Sequence, residues 1–306
     1  MSVVLHIGLQ KTGTSSIQNF LQSNIAVLNE NGFDYPHITQ FSAVQFKGPS
    51  SHNCLAPALG LKQSGFPAVD EDELQSLREF LLSTDKTVII SSEEISRIMD
   101  LTTLMKFFEG MDVKVFVYLR HQANWAESMY NQRNKLLFFK QDERLFEEGT
   151  LSEEDLFRFL RQEHYTPLMN FEALLDRWSE AFGQENLIVR IFDRKKMYKN
   201  DLLADFCQAI GIDFLEECTI PKSVNENLAN SWISYFVKLS QDQGPEFAKQ
   251  AAESFINGLD DPQIVQNGDI KVLTPRVRKN LMKDFRDFNR ATAQKYFGRN
   301  NLFGPE

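Results

Sequence analysis

The first seventeen residues, Met1-Ser-Val-Val-Leu-His-Ile-Gly-Leu-Gln-Lys-Thr-Gly-Thr-Ser-Ser-Ile17, constrain this chain more than any other stretch. The apolar run Val3–Ile7 reads as a buried strand that breaks at Gly8. A helical pattern starts near Gly13 and sets Ile17, Phe20, Leu21, Ile25 and Leu28 on one face. Strand, glycine-bearing loop and helix N-terminus together make an anion cradle. The first N–H groups of a helix lack intrahelical acceptors, and its dipole is positive there. Thr14, Ser15 and Ser16 add three hydroxyls. The blander reading is a helix that merely opens with a Gly-Thr-Ser cap.

Gly8 and Gly13 have the spacing of the Walker A loop G-x-x-x-x-G-K-[ST], but Thr14 and Ser15 follow the second glycine. The lysine, Lys11, comes two residues before Gly13 instead. A second strand-like run, Val113–Leu119, ends in Arg120. Ser128 follows eight residues later on the helix-patterned stretch 123–138, within Tyr118-Leu-Arg-His-Gln-Ala-Asn-Trp-Ala-Glu-Ser-Met-Tyr130. A guanidinium fork suits a phosphate and a hydroxyl completes its shell. Taken alone, Arg120 is equally a surface ion-pair residue.

Lys-x-Gly-Thr-Ser after the first strand, with Arg120 and Ser128 at this spacing, resembles the sulfotransferases that use 3′-phosphoadenosine 5′-phosphosulfate (PAPS) as donor. Asn31-Gly-Phe-Asp-Tyr-Pro36, Val88-Ile-Ile-Ser-Ser-Glu-Glu94, and Arg177-Trp-Ser-Glu-Ala-Phe-Gly183 leading into Asn186-Leu-Ile-Val-Arg-Ile-Phe192 resemble a bacterial branch thought to act on glycans or small hydroxyl compounds. The resemblance covers roughly residues 1–215. The Arg-Lys-Gly segment of cytosolic eukaryotic members has no counterpart here. The resemblance implies a P-loop-like sulfotransferase fold. It assigns Lys11, Thr12, Gly13, Thr14, Ser15 and Ser16 to the 5′ end of PAPS, and Arg120 and Ser128 to its 3′-phosphate. It also implies that Lys11 stabilises charge at the bridging oxygen, that no metal is needed, and that a His or a Glu is the general base.

This chain offers both. His52, in Ser50-Ser-His-Asn-Cys54, has the pKa range for proton abstraction at neutral pH. Glu93 follows the strand 87–91 directly and serves if burial raises its pKa, or it orients His52. The blander readings are a loop hydrogen bond for His52 and a helix cap for Glu93. His6 reads as a core histidine, and Trp125 and Tyr130 as packing.

Strand patterns at 3–7, 33–35, 87–91, 113–119 and 187–192 alternate with helical ones at 14–29, 71–83, 101–109, 123–138, 153–163, 168–182 and 200–210. They predict an α/β fold of three layers, a mostly parallel central sheet with helices on both faces. Helices at 228–242, 246–257 and 275–297 extend it, so 1–306 is expected to be one domain with a nucleotide-binding core at 1–215 and a helical part at 216–306. Ligands of such sheets bind at the carboxyl ends of the strands, where Gly8, Ser91–Glu94 and Arg120 fall.

Net charge is −9, which argues against a nucleic-acid partner or an anionic membrane surface. The expected partner is a small-molecule or glycan hydroxyl acceptor. Three cysteines without paired spacing fit free thiols. No apolar run reaches the roughly 18 residues of a membrane span, and the start carries no signal-like pattern, so a cytoplasmic location is expected. A divergent P-loop kinase and a non-catalytic nucleotide-binding module are the alternatives.

Overall fold

The structure is a computed structural model and describes residues 2–37, 51–147, 156–157, 160, 166–221, 227–258 and 273–304. Most of the helix pattern at 153–163 lies outside the described residues.

Five strands, β1 (Ser2–His6), β2 (Phe33–Asp34), β3 (Thr87–Ser91), β4 (Asp112–Leu119) and β5 (Leu187–Ile191), form one parallel sheet in the order β2-β3-β1-β4-β5. The inner strands β3, β1 and β4 are largely apolar runs because both of their faces are covered, whereas the outer strands β2 and β5 are mostly half-buried. Val3, Leu5, Val88, Ile90, Val115 and Val117 point into one core, with Leu77, Leu104, Leu174 and Trp178 from the helices Glu71–Ser83, Thr102–Phe107 and Phe171–Phe182. Val4, Ile89, Phe116 and Tyr118 point into the other, against Ile17, Phe20 and Leu21 of α1 (Thr14–Ser23) and Phe206 of Leu202–Ile210. This is the expected three-layer α/β arrangement. Burial of each large apolar side chain contributes about 1.5–3 kcal/mol, and truncating one such as Leu5 to Ala costs about 2–5 kcal/mol.

Helix ends follow local chemistry. Asp70 and Glu73 form a reciprocal capping box, each side chain accepting from the other's backbone N–H at 2.8 Å. The pattern at 14–29 is two helices, α1 and Ile25–Glu30, rather than one. The break is at Asn24, whose amide donates to the carbonyls of Phe20 (2.7 Å) and Thr219 (2.9 Å) and accepts from Thr219 N–H (2.7 Å). A side chain committed to a distant segment fixes the chain there. The pattern at 275–297 likewise divides, into Pro275–Asp284 and Arg286–Phe297.

The chain forms two compact units. The first comprises Met1–His121, Pro167–Lys222 and Asp287–Glu306, and holds the whole sheet. The second comprises Gln122–Thr166 and Ser223–Arg286. Within the second, Phe138, Phe146, Ile233, Phe236 and Ala252 make a separate core, with Phe138 stacked on Phe236 at 5.3 Å. Among the described residues no helix is long and apolar enough to cross a membrane.

Candidate active site

In register, His6 lies opposite Ser91 of β3 and Phe116 of β4. The loop leaving the carboxyl end of β1 is therefore flanked by the ends of β3 and β4. It is tightly wound. Lys11 has φ +63° and Gly13 φ +80°. The left-handed region is costly for a lysine and is held by its surroundings. Gly13 must be glycine for a second reason, because a Cβ there would collide with Leu202 and reach 3.0 Å from the Phe192 ring. At Gly8 the space of a Cβ is already taken by the Thr14 methyl. The carbonyl of Gly13 accepts from Ser16 N–H (3.0 Å) and Ile17 N–H (3.1 Å), which opens α1.

The loop's hydroxyls have divided roles. Thr12, fully buried, donates to the carbonyl of Leu9 at 2.5 Å and stitches the loop to itself. Thr14, also buried, donates to the Glu93 carboxylate. Ser15 and Ser16 are exposed. Arg120, directly after β4, donates from Nη1 to the carbonyl of Lys11 at 2.5 Å, and its guanidinium lies 5.4 Å from the centroid of Phe192. Lys11, Arg120, Thr14 and Glu93 thus converge from three strand ends. Ser128 is half-buried on the helix Gln122–Phe139 and belongs to the second unit.

His52 differs from the expectation of a base. It is 2% exposed, and both ring nitrogens are engaged. Nδ1 accepts from Ser91 N–H at 3.0 Å, so Nε2 carries the proton and donates to the carbonyl of Pro36 at 2.8 Å. Its own N–H donates to the carbonyl of Ser91 at 2.8 Å. Burial pushes its pKa down to about 4, and the ring stays neutral. His52 has no lone pair left for a substrate proton. It braces the end of β3.

The neighbouring Asn53 carried no signal at the level of sequence pattern. Its Oδ1 accepts from Ser92 Oγ (2.8 Å), Glu93 N–H (3.0 Å) and Glu94 N–H (3.4 Å), so one buried carbonyl sets the turn that presents Glu93. Its nearest sequence clue is that Asn is a cap and turn former within a polar segment. Glu94 itself is buried and pairs with Arg97 at 2.6 Å.

Beneath the loop lies a small polar cluster. His6 Nδ1 is 2.8 Å from Ser91 Oγ, which also accepts from Gln18 Nε2 at 3.2 Å. Burial pushes the His6 pKa down to about 3. Its Nε2 is buried without a hydrogen-bond partner and sits 3.2 Å from where a Cβ of Gly8 would be. Among the described residues no group of three or more His, Cys, Asp or Glu side chains is arranged to hold a metal ion.

No protein-family model matches the chain. A protein of Archaeoglobus fulgidus, described only as uncharacterized, is 27% identical over 220 residues, which is 71% of this chain and 55% of that protein. The chain therefore spans about half the length of this curated relative. Among solved structures, a sulfotransferase from Alicyclobacillus acidocaldarius aligns over 85% of this chain and 97% of its own, with 19% identity and a TM-score of 0.41. A likeness that distant carries no argument, and the reading of the site rests on its residues.

Proposed function

We propose that this chain is a sulfotransferase that moves a sulfuryl group from PAPS to a hydroxyl of a glycan or small-molecule acceptor. One observation carries the reading. The loop's lysine precedes the second glycine, and the carbonyl of that same Lys11 is tied to Arg120 at the end of the neighbouring strand. A loop that carries its cation there is not arranged as a Walker A loop.

The residues fit such a donor. Glycine stands at both positions where a Cβ would collide with a packed side chain, the Thr14 methyl at Gly8 and Leu202 at Gly13, a helix begins at the loop, and an unpartnered buried nitrogen of His6 lies beside Gly8. Thr12–Ser15 would hold the 5′ end by backbone N–H groups and Ser16 by its exposed hydroxyl, and Lys11 and Arg120 would supply positive charge. Bound donor supplies an activated sulfuryl group on a phosphate leaving group. The Lys11 ammonium meets negative charge as it develops on that leaving oxygen. Glu93 takes the acceptor's proton, since His52 is occupied. Asn53 keeps Glu93 in place through its backbone.

The test is a melting shift with adenosine 3′,5′-bisphosphate against ATP with magnesium. A ligand at a hundredfold its dissociation constant stabilises the fold by about 2.7 kcal/mol. The bisphosphate is expected to raise Tm while ATP does little. A larger, magnesium-dependent shift with ATP sinks the reading in favour of a kinase.

A further inference from the structure

Thr14 and Glu93 make one contact that the chemistry above leaves unexplained. Thr14 is the first residue of α1, at the mouth of the cradle, and its hydroxyl is spent on the Glu93 carboxylate. A threonine hydroxyl has one proton and can donate to one acceptor at a time. Its methyl fills the space beside Gly8, on the loop side. A single staggered step about Cα–Cβ exchanges positions around that carbon and turns the hydroxyl away from Glu93. Beside Gly8 the structure also holds a fully buried polar atom without a hydrogen-bond partner, the Nε2 of His6.

We infer that Thr14 is a two-position switch that couples occupancy of the cradle to the freedom of Glu93. In one position the carboxylate holds the hydroxyl. An anion in the cradle competes for that one proton and repels the carboxylate as a like charge. Thr14 then turns to the anion, and Glu93 loses its partner and becomes available to an acceptor hydroxyl. The donor must therefore bind before the base is freed. This inference rests on the proposed donor site for its choice of nucleotide, but its physics needs only an anion in the loop.

The coupling is read by calorimetric titration with two probes, adenosine 3′,5′-bisphosphate and inorganic pyrophosphate. The proteins are the native chain, Glu93→Ala, Glu93→Gln, Thr14→Val, Thr14→Ser and the double variant Thr14→Val/Glu93→Ala. Removing a like charge that also holds the loop's donor should tighten anion binding about tenfold in both Glu93 variants. Thr14→Val should weaken binding, Thr14→Ser should restore it, and the gain from Glu93→Ala should shrink in the Thr14→Val background. If Glu93 is only an anchor for the loop, both Glu93 variants bind the probes equally or more weakly, and the switch is overturned. A native chain that binds pyrophosphate but not the bisphosphate overturns the donor assignment alone, and the pyrophosphate arm still decides the switch. Binding of neither probe overturns both.

Discussion

The loop after β1 and the turn after β3 lie side by side at the carboxyl ends of neighbouring strands, yet they are built in opposite ways. The β1 loop holds two left-handed residues, depends on the absence of two Cβ atoms, and leaves a buried nitrogen without a partner. The turn after β3 is saturated, with His52 bracing both backbone atoms of Ser91 and Asn53 receiving three donors. Unmet hydrogen-bonding capacity and backbone strain gather where a ligand is to be received. Complete satisfaction gathers where a side chain must be held still. The proposed site, which would bind one group and abstract a proton from another, needs both kinds of construction.

Breaking the receiving side should have the largest effect. Lys11→Ala is expected to lower kcat by about 10² to 10³ with a much smaller change in bisphosphate affinity, because its charge counts most as the bond breaks. Steady-state rates set beside calorimetric binding check this, and equal losses in both would reassign Lys11 to anchoring. Breaking the holding side should be felt first in stability. Asn53→Ala leaves two backbone N–H groups and a hydroxyl without their acceptor, at a cost of about 1–3 kcal/mol in chemical denaturation. If the comparison is right, Asn53→Ala also lowers kcat while bisphosphate affinity stays near native. The effect smallest per residue is graded and depends on pH. His6 and His52 have folded pKa values near 3 and 4, below the ordinary 6.5. The unfolded chain takes up protons that the folded chain refuses. Stability is thus complete above about pH 6.5 and falls as pH drops toward those values, by up to about 1.4 kcal/mol per pH unit for each histidine. Unfolding free energies at pH 7.5 and 5.5 test the sign, and a chain more stable at pH 5.5 would contradict the burial of these rings.

The inner strands were legible because they are buried on both faces, and a run such as Val113–Leu119 has few other homes. The strand, loop and helix start at residues 2–23 were legible for the same local reason, since a glycine, a lysine and a helix start are neighbours in sequence. What could not be read depended on partners far along the chain. His52 has the composition of a base, and only its position between Pro36 and Ser91 makes it a brace. Asn53 meets residues forty positions away, beyond any periodicity. Asn24 lies within an unbroken helical pattern, and its tie to Thr219 divides the helix. The division into two units was invisible because the second unit draws on two distant segments, neither of which shows a linker.

The place of β1 between β3 and β4 has a consequence for the growing chain. Its partners are Thr87–Ser91 on one side and Asp112–Phe116 on the other, and the carbonyl of Lys11 waits for Arg120. Pairings so distant in sequence are slow to close. A fragment ending at residue 100 would contain every residue of the loop, yet lack the strand and the guanidinium that fix its shape. During synthesis the loop is spelled out before the strand that fixes it and is assembled late, so binding of the proposed nucleotide by nascent chains of increasing length would report the moment at which the centre of the sheet is complete.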